Sequence, residues 1–340
     1  LKSAVTFSIE TDGGMFRYDD GIAAAVEALD RAIEDRESGG LSLTRYIAVL
    51  KDIIADHPDY IDGYAHLGFA LKEQGKPKLA LQACLSGYEL GQAHMPVGFS
   101  GPIAWVWHEN RPFLRAAQGL ATCYSAIGRN RDAVVVMENL LRWNPSDNQG
   151  IRYMIGGGYL RLGDVLKASL IFDEEADHYP PYQYQLALIY LKQGRLTSAA
   201  TRLRQAFTAN GYIAEILCGN PEPAPLAIWH ASNLAGPVTA RDYVDAEGVL
   251  WRQTPNALAF LHWLYNHPKV LAERAVVLGF REALLWEYDL DARRALLDSE
   301  RAAIAAIDDQ LSDEIVVEHR DRSGQMHKPW LYPGLRPSRY

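Results

Sequence analysis

The 340-residue chain is 48% hydrophobic and carries a formal net charge of -8. That is enough apolar material for one large or two ordinary domains. The acidity excludes general nucleic-acid binding, which needs a basic footprint, and no run of 18 apolar residues exists to cross a membrane. Cys84, Cys123 and Cys218 are far apart in sequence, odd in number and set in apolar surroundings. They read as small buried residues in a reducing compartment, not as a disulfide or zinc framework. Alanine and leucine are abundant and no stretch alternates apolar with polar for long, so an all-α fold is expected.

The N-terminal segment "LKSAVTFSIETDGG" lacks the apolar core of a signal peptide, and it begins with Leu, so a trimmed start is expected. From Ser8 to Glu37 nine acids face three bases, while Glu318 to Tyr340 holds five Lys/Arg and two acids. The two ends are electrostatically opposite, and two solvated surfaces are the simpler reading of that contrast. Ile22, Val26, Leu29 and Ile33 mark an amphipathic helix, and Ile47, Leu50 and Ile54 mark a second that stops at Pro58. Residues 1–58 are therefore expected to form an N-terminal helical pair.

A repeated punctuation follows. "EQGKPKLAL", "AIGRNRDAV", "RLGDVLKAS" and "KQGRLTSAA" each place a glycine after a helical run and an alanine five residues later. Glycine closes a helix there and the next begins at once. Aligned on that glycine, the four units read Tyr64, Leu67, Gly68, Leu71, Gly75, Ala80, Cys84; then Ala117, Leu120, Ala121, Tyr124, Gly128, Ala133, Met137. The third reads Arg152, Ile155, Gly156, Tyr159, Gly163, Ala168, Phe172, and the fourth Gln183, Leu186, Ala187, Tyr190, Gly194, Ala199, Leu203. Units two and three also carry a closing proline, Pro145 and Pro180.

This pattern resembles the tetratricopeptide repeat, a helix–turn–helix unit of about 34 residues. The repeat's usual tryptophan is missing. A second, local resemblance lies in "LLRWNPSDNQGIRYMI", which looks like the suppression-of-tumorigenicity family and bacterial tetratricopeptide proteins related to it. The resemblance implies a right-handed α–α solenoid over residues 59–211, interrupted by an insertion at 88–112 that carries Trp105 and Trp107. Insertions in such arrays map to loops on one face, often the binding face. It further implies which positions of each first helix face the concave groove: Asp62, Ala65, Phe69 and Glu73, then Arg115, Gln118, Thr122 and Ser125. The third and fourth sets are Gly150, Tyr153, Gly157 and Arg161, and Pro181, Tyr184, Leu188 and Leu191. The lysine and asparagine clamp with which some members hold a C-terminal carboxylate has no counterpart at Ala65, Phe69 and Glu73. The groove expected here is mixed: Arg115, Gln118, Thr122, Tyr153, Gly157, Arg161, Tyr184 and Leu188, a set of the kind that anchors protein interfaces.

The run Gly156-Gly157-Gly158 interrupts a helix at about 0.8–1 kcal/mol per glycine relative to alanine. Gly158 to Gly163 has the glycine spacing of a phosphate loop, but Asp164-Val165 stands where lysine and Ser/Thr are required. One packing glycine, Gly156, and a notch in the groove at Gly157 is the reading that remains. No H-E-x-x-H or C-x-x-C motif occurs, so no metal or cofactor is expected.

Residues 212–340 are expected to form a C-terminal helical cap. Prolines from Tyr212 to Gly236 break the repeat phase. Thr254-Pro255, His267-Pro268 and Asp289 or Asp291 then open three helices. A hairpin turning at Ser323-Gly324 would end the chain. The function expected is a protein–protein interaction scaffold or adaptor of the bacterial cytoplasm, holding a peptide or partner helix in its groove, with oligomerisation left open. The alternative is an enzyme or small-molecule sensor with a pocket between solenoid and cap near Trp229 and His230.

Overall fold

The computed structural model describes residues 4–320 and 324–331. The chain divides into two compact units, Leu1–Asp164 and Val165–Tyr340. Sixteen α-helices and two short antiparallel hairpins make up the regular structure among the described residues.

In the first unit α1 (Ala23–Glu37) and α2 (Leu43–Asp56) precede α3 (Ile61–Glu73) and α4 (Pro77–His94), then α5 (Arg111–Ala126), α6 (Asn130–Trp143) and α7 (Arg152–Arg161). The second unit opens with α8 (Val165–Glu175), α9 (Pro180–Lys192) and α10 (Leu196–Ala209). The four aligned glycines end α3, α5, α7 and α9 in the same way. Gly75, Gly128, Gly163 and Gly194 all have φ between 72° and 79°, a left-handed turn that glycine enters without a Cβ penalty. In each, the residue after the glycine donates its N–H to the carbonyl five residues back: Leu71, Tyr124, Tyr159 and Tyr190. These are four copies of one Schellman closure. The residue that follows also covers the turn, with Arg129 and Arg195 each 4.4 Å above the rings of Tyr124 and Tyr190.

The nested positions are as tight as the spacing requires. Ala80, Ala133, Ala168 and Ala199 are fully buried. At Gly68 a Cβ would stand 2.1 Å from the Cys84 sulfur, so α3 and α4 touch where only glycine fits. Gly158 has the same role against α6, since its Cβ would meet Val134 at 2.8 Å. Gly156 and Gly157 are buried as well. The glycine run is therefore enclosed within α7, and Gly157 offers no open notch. Cys84 and Cys123 meet in space despite their separation in sequence. Their thiols hydrogen-bond to each other as free cysteines, and that bond raises the Cys84 pKa and lowers that of Cys123.

The N-terminal segment departs from the all-helical expectation. β1 (Val5–Glu10) and β2 (Gly13–Tyr18) form an antiparallel hairpin around Thr11-Asp12. Its apolar face sets Phe7 edge-on to Phe16 at 5.0 Å and to Phe99 of the insertion at 5.0 Å. The insertion is shorter than expected, because α4 runs on to His94 and only residues 95–110 lie outside α-helix. It is packed rather than loose. Ile103 is fully buried and Gly14 donates to the Pro102 carbonyl at 2.8 Å. Gly13, at φ 138°, is held where a Cβ would strike that carbonyl. Asn110, fully buried, closes the assembly: its Oδ1 accepts from Phe16 N at 3.0 Å and its Nδ2 donates to the carbonyls of Gly14 and Ala104.

The second unit continues with α11 (Gly211–Leu217), α12 (Pro237–Gln253), α13 (Ala257–Tyr265), α14 (Pro268–Trp286), α15 (Leu290–Ala305) and α16 (Asp309–Ile315). His267 and Asp289 cap α14 and α15 as expected. Thr254-Pro255 does not open α13. Thr254 instead ends α12, its hydroxyl donating to the Leu250 carbonyl, and α13 starts after Asn256 at φ 62°. The final hairpin pairs β3 (His319–Arg320) with β4 (Met326–His327). Ser323 of its expected turn lies outside the described residues, as does much of the basic C-terminal end. The core gathers Tyr184, Phe207, Tyr243, Trp251, Phe260, Leu264 and Trp330. Arg204, buried, clamps Glu273 of α14 and donates to the Asp308 carbonyl and Ser312 hydroxyl at the start of α16.

Candidate functional site

The first helices of successive pairs, α1, α3 and α5, present a common face in the first unit. Asp62 on α3 and Arg115 on α5 meet there, Oδ2 to Nη1, at 2.7 Å. Asp62 is only 7% exposed, while Arg115 is half-buried. Both positions come from the groove-facing set implied by the repeat. The Trp105 ring of the insertion lies under Arg115 at 5.7 Å and under Arg111 at 5.4 Å. Arg111 also donates Nε to the Trp105 carbonyl at 3.0 Å. The insertion thus places an aromatic wall on the helix face.

Beside this pair opens a cleft of about 570 Å³. Its walls come from the end of β2, the first two turns of α1, and the starts of α3 and α5. Three carboxylates on its rim, Asp20, Asp30 and Glu109, make no hydrogen bond or ion pair among the described residues. Asp19, Glu27 and Asp62 add three more, against Arg111 and Arg115 as the guanidinium groups in the lining. Val26, expected in the core, is 38% exposed and lines the cleft, because α1 buries Ala25, Leu29 and Ala32 instead. Two polar atoms of the lining are orphans: the buried Tyr18 hydroxyl and Asp62 Oδ1 make no hydrogen bond. His66 Nε2 lies 3.8 Å from Oδ1, beyond hydrogen-bond reach. Burial holds the His66 pKa below its ordinary value, so this histidine is neutral at pH 7. Burial and the Asp62 charge push the Tyr18 pKa well up, so its hydroxyl keeps its proton.

The remaining expected groove residues have diverse fates. Gln118 donates to the Gln149 backbone carbonyl at 3.1 Å and accepts from the Gln149 side-chain amide at 3.0 Å. Thr122 turns its hydroxyl onto the Gly119 carbonyl of its own helix. Tyr153 is half-buried with Arg152 over its ring at 5.4 Å, and Arg161 is half-buried at the end of α7. Tyr184 and Leu188 are fully buried. Tyr184 donates to the Asn210 carbonyl at 2.7 Å, and its ring lies 6.1 Å from Tyr243 and 6.4 Å from Trp251. The helix that covers this face of α9 is α12, in the stretch between the broken repeat ending at Gly236 and Thr254, where no helix is expected from sequence. No ligand reaches Tyr184 or Leu188, and both leave the candidate set.

The region of Trp229 and His230 holds a different arrangement, wholly inside the second unit. Tyr212 accepts from Leu226 N at 2.8 Å and donates to His230 Nε2 at 2.8 Å, while His230 Nδ1 donates to the Ile228 carbonyl at 3.0 Å. Burial raises the Cys218 pKa to about 12, and the polar contacts of His230 go to Tyr212 and Ile228, so the two do not form a thiolate–imidazole pair. The cavity there is about 40 Å³, room for a water or two rather than a metabolite. Among the described residues no three His, Cys, Asp or Glu side chains gather as a metal site needs. Nor is any helix among them long and apolar enough to cross a membrane.

Helix pairs closed by identical glycine turns and nested on alanine define a tetratricopeptide-like α–α repeat protein. No protein-family model and no curated protein matches the sequence. Solved structures similar to it include MamA protein, at 15% identity over 54% of this chain and 90% of that one, with a TM-score of 0.43. A tetratricopeptide repeat protein from Parabacteroides merdae is 16% identical over 82% of this chain and 99% of its own, with a TM-score of 0.45. Naa15/Naa10 bound to HypK-THB gives 12% identity and a TM-score of 0.35, covering 83% of this chain and 39% of that one. Likeness at this level adds nothing to the repeat assignment, which rests on the chain's own turns.

Proposed function

We propose that the chain is a protein-interaction scaffold, and that an extended peptide or partner helix lies along the face shared by α1, α3 and α5. The observation that carries this reading is the cleft beside the Asp62–Arg115 pair, walled by aromatic, cationic and unpaired anionic side chains at once. Interface anchors have this mixture of aromatic and arginine groups. The face of α9 is filled by the chain itself, so the proposed groove is confined to the first unit. Arg115, Gln118 and Thr122 on α5 remain its candidate contacts, with Tyr153 and Arg161 on α7 extending the groove to the next first helix. A location in the bacterial cytoplasm belongs to the same proposal, supported by three unbridged cysteines.

The test is recovery of partners by affinity capture and mass spectrometry from the source cell, comparing wild type with Arg115→Glu/Arg161→Glu. Loss of a specific partner from the double variant supports the groove. Unchanged recovery refutes it. Arg115→Gln, which keeps a donor toward Asp62, separates loss of contact from loss of fold.

A further inference from the structure

We propose that the cleft formed by β2, α1 and the starts of α3 and α5 receives an arginine side chain presented by an extended segment of the partner protein. This deepens the scaffold reading and rests on it. Charge complementarity comes first. Asp20, Asp30 and Glu109 are free of ion pairs among the described residues, and Asp62 is shared by a single guanidinium. The deficit is cationic, and a guanidinium is a cation that carries five donors in a plane.

The second observation is independent of charge count. Asp62, in the cleft lining, is more than nine-tenths buried, and its Oδ1, 3.8 Å from His66 Nε2, makes no hydrogen bond. The Tyr18 hydroxyl is buried in the same lining and equally without a partner. Polar atoms left unpaired out of water carry a penalty that a bound donor removes. Two such acceptors in one cleft suit a donor with several N–H groups.

The third observation is that the site already holds arginine by the same chemistry. Arg115 sits on Asp62 Oδ2 with its guanidinium over the Trp105 indole, and Arg111 covers the same ring. Carboxylate on one edge and aromatic face on the other is the preferred setting of a guanidinium. Tyr60, also in the lining, supplies a further ring at the cleft. A lysine ammonium, a compact strongly hydrated charge, gains less from such a wall. The cleft volume, about 570 Å³, lies within the ordinary range of ligand pockets, about 300–1,000 Å³.

The probe is a capped, fluorescein-labelled nine-residue peptide of glycine and serine with one central arginine, titrated against the full chain by fluorescence anisotropy. The peptide with citrulline in its place keeps the shape and removes the charge. We expect the arginine peptide to bind about tenfold or more tighter than citrulline, with lysine between them. Asp20→Asn/Asp30→Asn/Glu109→Gln removes two exposed charges and one half-buried one without touching a hydrogen bond or ion pair among the described residues, and should weaken the arginine peptide about tenfold. Tyr18→Phe removes only the orphaned hydroxyl and should weaken it a few-fold. Equal binding of the citrulline peptide, no binding up to millimolar protein, or an unchanged affinity in the triple variant each overturns the proposal. Free arginine amide binding as tightly as the peptide overturns the assignment to a chain segment. The scaffold reading fails separately. A partner whose capture depends on Arg115 but is indifferent to the triple variant leaves the scaffold and removes the arginine site. A peptide that binds while no protein is captured does the reverse.

Discussion

At the scale of single residues, the repeat is enforced by atoms that have no room to move. Cys84 Sγ lies between two glycines, 2.1 Å from where a Cβ at Gly68 would be and 2.6 Å from one at Gly119. An alanine at 68 would gain about 1 kcal/mol of helix propensity and would overpack a closed core, which costs about 1–3 kcal/mol. The clash wins because the sulfur is hemmed in from the side of Gly119 as well and is hydrogen-bonded to Cys123. Gly68→Ala should therefore lower the urea midpoint at constant slope. Adding Cys84→Ala should return most of the loss, a positive coupling in a double-mutant cycle. A raised midpoint in Gly68→Ala alone would show that α3 and α4 can part cheaply, and the nesting argument would fail.

At the scale of elements, the hairpin and the insertion are each other's support, with Asn110 as the pin. Removing its side chain leaves the Phe16 N–H and the Gly14 carbonyl without their Asn110 partner, at about 1–3 kcal/mol for the unsatisfied group, while the Ala104 carbonyl keeps the Trp107 N–H. Asn110→Ala should speed amide exchange across residues 5–18, while amides of α9 and α10 keep their protection. Unchanged exchange at Phe16 would show the hairpin to be held by its aromatic contacts alone. The sequence pattern was legible where structure is local. A glycine turn and the alanine five residues on are fixed by neighbouring backbone, so all four turns read correctly. The hairpin was legible in principle, since "FSIETDGGMF" alternates around Asp-Gly, a hairpin signal. It was obscured by reading the acidic run as solvated surface. Thr254-Pro255 misled because a threonine before proline can end one helix as well as begin another. The cleft was not legible at all. It joins residues near 18–30, 60–62 and 105–115, and only the tertiary fold brings these segments together.

At the scale of the whole molecule, the charge balance of -8 should act on a basic ligand before contact is made. Exposed charges feel one another to about 10 Å at 0.1 M ionic strength and about 3 Å at 1 M. An acidic cleft in an acidic protein adds its field to the background, which raises encounter rates for cations. The association rate of the arginine peptide should then fall about 3–10-fold as sodium chloride rises from about 0.05 to 0.5 M. Its dissociation rate should change less, because carboxylates partly enclosed with a guanidinium are weakly screened. Neutralising Asp20, Asp30 and Glu109 takes the net charge from -8 to -5. If the cleft rather than the background does the steering, that change should flatten most of the salt dependence. Three acid-to-amide changes elsewhere, at Asp291 and Asp298 on α15 and at Glu282 on the adjoining α14, alter net charge equally and should leave it. Stopped-flow fluorescence separates the two rates. Equal flattening by both triple variants would mean that the peptide responds only to overall charge, and that the cleft contributes no direction of its own.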